Sequence, residues 1–452
     1  MTDSLSAIRI GVFGHVGIGN LGDEAIFAAV IQNIKSRYPS AEICCFTINP
    51  EDTRERHKTA AFPIRRIDKT PGRAAPQKKD QVIIQENRHT SALLKKIKSG
   101  LRAVPFVYDF LKKIPEIFQI LRAALKEPGF LLQCRRNLKD VDLLIVAGSQ
   151  QLIDYAGGGA WGHPYTLLKW SLIARAQKTK LAFVSSGAGP VQTSLGGFFI
   201  RSALSLADYV SYRDEVSTKC VEQLGVAGQK PVVPDLAYSL AVNQTPPEGS
   251  RPATGRPVVG INPLPFSQSH FWGVGGSAQT YEIYTRKLAD LALWLIQRGY
   301  AVLFFPTQLR GDPPVIEEIR HLMKDGRIPE VEKHIIDYPV HSFDDLRSAL
   351  CMTDLIIATR FHGVVLSYMF NKPVLGIAYA EKTSDLMAQM GQREFALDIL
   401  RFELESLQEK FVVLESRKTA IKTTLAQQLA VHRQVLDVQY DRIFSLLQRD
   451  CH

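Results

Sequence analysis

The chain has 452 residues, about three times the size of a usual domain, which predicts two domains with additional helices. Hydrophobic residues make up 45% and charged residues 22% of the chain, a composition that excludes a disordered, collagen-like or coiled-coil protein. The net charge of +10 is local, because residues 51–140 hold 21 Lys or Arg against 10 Asp or Glu. This concentration indicates one surface for phosphate or acidic lipid rather than a chain that binds nucleic acid.

The six cysteines show no C-x-x-C spacing and no clustering with histidine. We therefore expect no zinc site, no disulfide framework and a reducing compartment. The first residues lack the charged and apolar regions of a signal peptide, and no run of 18 apolar residues is present to span a bilayer. These features predict a cytoplasmic protein.

Short apolar runs alternate with helical periodicity along the first half of the chain, as in parallel sheets covered by helices. Strands are predicted at residues 7–14, 41–48, 141–148, 181–187 and 209–213, with a helix at 23–38. The Pro- and Gly-rich segment 241–256 is predicted to be a linker, after which strands are expected at 257–262, 301–306, 354–360 and 373–378.

This alternation of strands and helices, interrupted by one linker, predicts two α/β domains that face each other across a cleft. The predicted divisions are an N-terminal domain at 1–245 with a basic insert at about 51–140, a C-terminal domain at 257–400 and a helical tail at 401–452. Ligands of such domains bind at the carboxyl ends of the strands.

Inside the insert, residues 91–126 place apolar side chains at helical spacings among lysines and arginines. Such a basic amphipathic pattern is typical of segments that lie on an anionic membrane surface. Helices that pack on the domain with solvated lysines explain the pattern equally.

A glycine-rich loop follows the first predicted strand and opens a helix. Gly17, Gly19 and Gly22 satisfy G-x-G-x-x-G, and the helix N-terminus offers free N–H groups to an anion. Asp23 and Glu24 in the first helical turn argue against a dinucleotide, because they repel a pyrophosphate. The alternative is that these two carboxylates only complement the helix dipole.

Two further turns lie at the same predicted sheet edge. Ser149 and Gln150 follow the strand at 141–148, and Gly187 and Gly189 follow the next strand. Each turn alone is explained by chain reversal, but three turns at one edge indicate a cleft.

A nearly uncharged buried strand ends at Arg360 and His362. Arginine supplies a bidentate clamp for phosphate or carboxylate, and histidine exchanges protons near neutral pH. Arg213 ends another strand, where it serves either as a ligand or as the salt-bridge partner of Asp214.

The order of these motifs resembles the polysaccharide pyruvyltransferase family over nearly the whole chain apart from the insert and the tail. The matching features are the Gly17–Glu24 loop, Arg213-Asp214, and Arg360-x-His362 with the downstream Pro373, Tyr379 and Lys382. The family pattern is altered at two points, since a G-G-G turn is replaced by Ala147-Gly148-Ser149-Gln150 and a histidine by Gln308.

The resemblance implies a glycosyltransferase-B-like architecture and transfer of pyruvate from phosphoenolpyruvate onto sugar hydroxyls as a ketal. It implies that Arg213, Arg360 and Lys382 hold the donor and that His362 donates a proton, with no metal and no cofactor. The remaining expected binding residues are Tyr379, Gly17, Gly19, Asn20, Asp23, Gly187, Gly189, Ser149 and Gln150. The expected acceptor is a glycan or a lipid-linked oligosaccharide at an anionic membrane.

Two other functions fit the same sequence. A nucleotide-sugar-dependent glycosyltransferase shares the two-domain fold, and its Arg and Lys residues bind a diphosphate. A non-catalytic, membrane-associated binding protein of polysaccharide assembly is favoured by the altered turn at 147–151 and the helical tail.

Overall fold

The computed structural model of the protein describes residues 8–66, 125–155, 158–243, 255–265, 277–324 and 328–448. Residues 65–139 form a compact unit of their own, in which residues 125–137 are helical (α3). Both sheets lie in the other unit, which combines the residues before and after this segment.

The first sheet is entirely parallel, with strand order β3-β2-β1-β4-β5-β6. Its strands are β1 (Arg9–Phe13), β2 (Glu42–Thr47), β3 (Ala60–Pro63), β4 (Leu143–Ala147), β5 (Lys180–Ser186) and β6 (Tyr209–Tyr212). The helices between them are α1 (Leu21–Arg37), α2 (Pro50–His57), α4 (His163–Ala176), α5 (Ser194–Ser205) and α6 (Glu215–Gln223).

The second sheet is also parallel and has the order β12-β11-β10-β7-β8-β9. Its strands are β7 (Val258–Asn262), β8 (Ala301–Phe304), β9 (Ile335–Ile336), β10 (Leu355–Ala358), β11 (Val374–Ala378) and β12 (Ala396–Asp398). Its helices are α7 (Ala278–Gln297), α8 (Asp312–Met323), α9 (Phe343–Met352), α10 (Phe361–Met369) and α11 (Glu381–Gln389).

The central strands are buried along their whole length, as the continuous apolar runs predict. Every residue of β4, β7 and β11 is buried. In each sheet the strand order reverses between two central strands, β1 and β4 in the first and β7 and β10 in the second. Crevices that bind ligands form at such switch points, at the carboxyl ends of the strands.

Two helices complete the chain, α12 (Leu404–Ser416) and α13 (Lys418–Ser445). Helix α12 packs on the second domain, where the Phe411 ring meets Trp294 edge-on. Helix α13 returns to the first domain, where Gln439 hydrogen-bonds to Ser185 and Ser211 at the end of the sheet. The predicted tail is therefore helical, and it joins the two domains.

The predicted architecture of two parallel-sheet α/β domains is confirmed. Three short strands were not predicted from the sequence, because β3, β9 and β12 are edge strands with only two to four residues each. The basic amphipathic pattern at 91–126 lies almost wholly outside the described residues, and the domain boundaries stay a prediction. None of the described helices is long and apolar enough to cross a bilayer.

Candidate active site

A cavity of about 380 Å³ opens between the carboxyl edges of the two sheets. Both domains line it, because β1 and β4 of the first sheet and β10 and β11 of the second end there. Nine residues predicted to form the site line this cavity, namely Asn20, Asp23, Ser149, Gln150, Arg213, Arg360, His362, Tyr379 and Lys382. The structure therefore brings most of the predicted residues into one space.

Arg213 is a buried cation held by two carboxylates. Its Nε donates to Asp214 Oδ2 at 3.3 Å, and its Nη1 donates to Asp235 Oδ2 at 3.5 Å. Burial opposes the charge of Arg213, but these two aspartates more than offset that effect and raise the pKa of the guanidinium. Its carbon Cζ lies 4.4 Å from the centre of the Phe361 ring. Arg213 is thus both a cavity-lining cation and a salt-bridge partner.

Arg360 is fixed by a carboxylate from the same domain. It occupies the N-cap position of α10, and its Nε donates to Asp312 Oδ1 at 2.6 Å. Asp312 is fully buried, and its other oxygen accepts the backbone N–H groups of Thr307 and Gln308 at 2.9 and 2.8 Å. Asp312 therefore sets the direction of the Arg360 guanidinium before any ligand binds.

Lys382 connects the two domains at the cavity. Its Nζ donates to Gln150 Oε1 at 2.5 Å and lies 5.5 Å from the Tyr379 ring centre. Burial, reinforced by the charge of Arg213, lowers the pKa of Lys382 to about 7. This lysine gains or loses its proton within the physiological range, so its charge responds to what occupies the cavity.

His362 lies in the first turn of α10, with its side chain 13% exposed. Its Nε2 lies 4.0 Å from Asp235 Oδ2 and has no hydrogen-bond partner among the described residues. Burial lowers the pKa of His362 to about 4, in spite of Asp235, and Arg213 adds to the effect. The imidazole is therefore neutral at pH 7 when no anion lies beside it.

Asp23 is the buried carboxylate of the cavity. Ser149 hydrogen-bonds to it, while Asp23 Oδ1 has no partner within the part of the chain that the structure describes. Burial raises the pKa of Asp23 to about 7, although Ser149 opposes this shift. The side chain is therefore more than a partner of the helix dipole, and it is protonated in a large fraction of molecules at neutral pH.

Glu24 points away from the cavity and holds the glycine loop. Its Oε1 accepts the Gly17 N–H at 3.2 Å, and its Oε2 lies 2.7 Å from His57 Nε2. The loop is also joined to the second domain, since the Gly19 carbonyl accepts the Leu309 N–H at 2.8 Å. The adjacent carboxylates Asp23 and Glu24, which the sequence presented as a pair, thus have different environments.

The predicted glycines lie beside the cavity rather than lining it. Gly17 and Gly19 have φ values of 89° and 80°, which glycine adopts without strain. A Cβ on Gly187 would lie 2.8 Å from Arg213 Nη2, and the Gly189 carbonyl accepts a hydrogen bond from Gln150 Nε2. These glycines position the loops and the side chains that line the cavity, and their direct binding of substrate stays a prediction.

The sequence did not indicate His15 and Tyr155 of the cavity lining, nor the two aspartates that pair with the arginines. Asp235 is the N-cap of a single 3₁₀ turn and Asp312 is the first residue of α8, common positions for aspartate that give no sign of a distant partner. Tyr155 lines the cavity, and burial raises its pKa to about 12. Gln308, where the family pattern has a histidine, donates from Nε2 to the Ile18 carbonyl at 3.2 Å and so supports the glycine loop.

The described residues contain no group of three or more His, Cys, Asp or Glu side chains arranged to hold a metal ion. The acidic and basic groups that line the cavity are instead the cations Arg213, Arg360 and Lys382, the carboxyl group of Asp23 and the imidazoles of His15 and His362, while Asp214, Asp235 and Asp312 pair with the two arginines from outside the lining. This set is suited to a small polyanionic ligand and to proton transfer.

The two parallel-sheet domains and the cavity between their carboxyl edges define a glycosyltransferase-B-like fold. The family model of polysaccharide pyruvyl transferases matches residues 20–381, and the chain belongs to that family. The amylovoran biosynthesis protein AmsJ of Erwinia amylovora is 23% identical over 406 residues, covering 87% of this chain and 88% of that protein. Family membership identifies the chain as a pyruvyltransferase of polysaccharide biosynthesis.

Solved structures share the fold at low sequence identity. A glycosyltransferase from Rickettsia africae has a TM-score of 0.53 at 12% identity, covering 98% of this chain and 100% of that one. A putative UDP-N-acetylglucosamine 2-epimerase from Listeria monocytogenes has a TM-score of 0.53 at 10% identity, covering 93% and 91%. At these identities the likeness concerns the fold alone.

Proposed function

We propose that the protein transfers the pyruvyl group of phosphoenolpyruvate to two hydroxyls of a sugar, forming a ketal and releasing phosphate. The observation that carries the proposal is the convergence of Arg213, Arg360 and Lys382 on one small cavity beside His362. A carboxylate and a phosphate on the same small donor match three cations, two of them guanidinium groups able to bind in a bidentate manner.

Lys382 is the cation of the cavity whose charge responds to an anionic donor. Arg213 and Arg360 are compensated by Asp235, Asp214 and Asp312, so neither presents an unbalanced full charge. Lys382 has a pKa of about 7 and becomes fully charged when an anion binds beside it. Donor binding is therefore coupled to proton uptake by the protein.

The overall reaction moves two protons from the sugar hydroxyls to the atoms of the donor. Two sugar hydroxyls each lose a proton, while the methylene carbon of the donor gains one and the departing phosphate gains the other. Asp23 is proposed as the group that accepts a hydroxyl proton, because its Oδ1 is unpartnered in the described cavity and its pKa is about 7.

His362 is proposed as the group that delivers a proton to the donor. Burial is the main cause of its low pKa, and an anionic donor bound beside it opposes that effect. The imidazole then carries the proton that the methylene carbon or the phosphate receives. The acceptor is proposed to be a glycan or a lipid-linked oligosaccharide, which extends outward from the open side of the cavity.

The proposed reaction is tested by measuring phosphate release from phosphoenolpyruvate across a panel of acceptor glycans. Release that depends on both substrates, with a pyruvylated product of the expected mass, supports the proposal. Thermal stabilisation by nucleotide sugars but not by phosphoenolpyruvate would point instead to a glycosyltransferase. Stabilisation by neither donor would favour a binding protein without catalytic activity.

Replacing Lys382 by arginine is expected to weaken the pH dependence of donor binding. In the wild type, Lys382 loses its charge as the pH rises through about 7, so the Kd for phosphoenolpyruvate should increase between pH 7 and 9. The arginine stays charged throughout this range. Isothermal titration calorimetry across the pH range provides the comparison, with the exposed Lys324→Arg as control. Identical pH profiles for Lys382→Arg and wild type would contradict the role of Lys382.

Replacing Gly22 by alanine is expected to displace the His362 ring. A Cβ on Gly22 would lie 2.1 Å from His362 Cγ, far inside van der Waals contact. A displacement of roughly 1 Å costs on the order of 100-fold in rate, so kcat should fall by about that factor while the donor Kd changes little. Gly129→Ala is the matched control, since a Cβ there meets no atom within 4 Å. Full turnover by Gly22→Ala would show that the position of the imidazole is not critical.

A further inference from the structure

An apolar patch with two exposed aromatic side chains lies on α4, on α5 and on the short 3₁₀ turn Gly159–Trp161 that precedes α4. Trp161 is 66% exposed and Leu172 is 52% exposed, and on the neighbouring helix Leu195 and Phe198 are 40% and 50% exposed. We call these four residues the aromatic patch. Among the described residues, Trp161 and Phe198 are the aromatic members of the set of large exposed hydrophobic side chains.

The patch is held rigidly by the packing beneath it. The Trp161 ring lies 5.3 Å from the Phe199 ring and 5.5 Å from the Tyr165 ring. Phe199 is buried at the junction of the two helices, while Phe198 beside it points outward. The exposed side chains therefore form a fixed surface on two packed helices rather than a loop that folds inward.

The only charged residues in the segment that carries the patch are basic. Residues 155–207 contain five Lys or Arg and no Asp or Glu. Arg175, Lys178 and Arg201 are exposed, and the Arg201 guanidinium lies 6.0 Å from the Phe198 ring centre. The combination of exposed Trp, Phe and Leu with basic residues matches the interfacial region of an anionic bilayer.

A second exposed apolar stripe gives an internal comparison. Val431, Val435 and Val438 are exposed on α13. This stripe has no aromatic residue, and Asp437 and Asp441 lie on the same helix, where both pair with Arg37. Its composition does not match an anionic lipid surface.

We propose that the aromatic patch docks the protein on an anionic lipid bilayer. The chain runs from Tyr155 in the cavity wall to Trp161 in the patch over six residues, which span at most about 20 Å. Docking through the patch therefore brings the cavity close to the lipid surface. This proposal is independent of the identity of the donor and concerns different residues from the basic insert.

Flotation of the full chain with vesicles tests the proposal. The wild type is expected to float with vesicles of three parts phosphatidylcholine and one part phosphatidylglycerol, and to float weakly with phosphatidylcholine alone. The double variant Trp161→Ser and Phe198→Ser should bind the anionic vesicles at least about tenfold more weakly, since both side chains lose their apolar contact with the bilayer. The control pair Val431→Ser and Val438→Ser should bind as the wild type does. Equal flotation of the patch variant and the wild type would overturn the proposal.

Trp161 fluorescence separates the patch from the basic insert. Vesicles with brominated acyl chains should quench the tryptophan emission of the wild type more than that of Trp161→Phe. If the protein binds through the insert alone, the vesicles should quench the emission of the two proteins equally. Size-exclusion chromatography tests a second copy of the chain as the occupant. A dimer that the patch variant breaks, with no change in flotation, would assign the patch to self-association and overturn membrane docking.

The catalytic assay distinguishes this proposal from the proposed function. The patch variant should release phosphate with a water-soluble acceptor at the rate of the wild type, because no patch residue lines the cavity. Loss of vesicle binding with full soluble activity supports membrane docking whether or not phosphoenolpyruvate proves to be the donor. If circular dichroism shows that the double variant is unfolded and the variant is inactive, the single variant Phe198→Ser is tested in the same flotation assay instead.

Discussion

Replacing His362 by glutamine is expected to lower phosphate release by about 1000-fold, the scale typical of general acid–base groups. The imidazole lines the cavity together with the three cations, and its Nε2 lies 4.0 Å from Asp235 Oδ2, whereas the other histidine of the lining, His15, belongs to the first domain. Glutamine retains a polar side chain but transfers no proton near neutral pH. The Kd for phosphoenolpyruvate should stay within about threefold of the wild type, since Arg213 and Arg360 are unchanged.

A stopped assay of phosphate release and a separate binding titration measure the two quantities. His321→Gln is a suitable control, because His321 is exposed on α8 and far from the cavity lining. Unchanged turnover by the purified His362→Gln variant would remove His362 as the proton donor. A loss of donor binding equal to the loss of turnover would assign it to binding instead.

The same variant changes how stability depends on pH. The folded pKa of His362, about 4, lies below its usual value near 6.5, so the unfolded chain binds more protons between these two values. Unfolding therefore becomes easier as the pH falls from about 6.5 to 4, and His362→Gln should lose less stability over this range. Denaturant unfolding at several pH values measures the difference.

The sequence predicted the fold from strand patterns that the sheets bear out. Runs such as residues 354–360 are apolar on both faces because β10 is central and covered by helices on both sides. The site was predicted from one rule, that the carboxyl ends of parallel strands converge. That rule placed Arg360, Ser149 and Asp23 together without any information on which side chains contact each other.

The contacts that orient the site arginines and balance their charges could not be predicted from this rule. Arg360 pairs with Asp312, 48 residues earlier in the chain, and Arg213 pairs with Asp235, 22 residues later. In the sequence, each aspartate has the pattern of an ordinary residue at the start of a helix. Its arginine partner is therefore visible only in the tertiary structure. Glu24 and Asp23 appear equivalent in the sequence. In the structure, however, the Glu24 carboxylate contacts His57.

The adjacent carboxylates of α1 show how one helical turn serves two purposes. Asp23 faces the cavity with a pKa near 7, whereas Glu24 anchors the glycine loop through the Gly17 N–H. Successive residues of a helix point about 100° apart, so two neighbours can lie in separate environments. Only Asp23 of the pair would face a ligand in the cavity, so the argument from sequence against a dinucleotide rests on Asp23 alone.

Replacing Arg360 by lysine or by alanine is expected to separate its role in donor binding from its role as the partner of the buried Asp312. Both variants lose the fork-shaped donor pair that binds phosphate or carboxylate, so the Kd for phosphoenolpyruvate should rise by about 100-fold. Alanine also leaves Asp312 fully buried without its cation, and stability should fall by about 3 kcal/mol. Lysine keeps a positive charge beside Asp312, so its loss of stability should be smaller.

The double variant Arg360→Ala with Asp312→Asn provides the control. It removes the buried carboxylate together with its partner, and part of the stability lost in Arg360→Ala should return while donor binding stays weak. Chemical denaturation and calorimetric titration measure the two effects on the same samples. Wild-type donor affinity in a well-folded Arg360→Lys or double variant would show that Arg360 supports Asp312 and the loop at Thr307 rather than the donor.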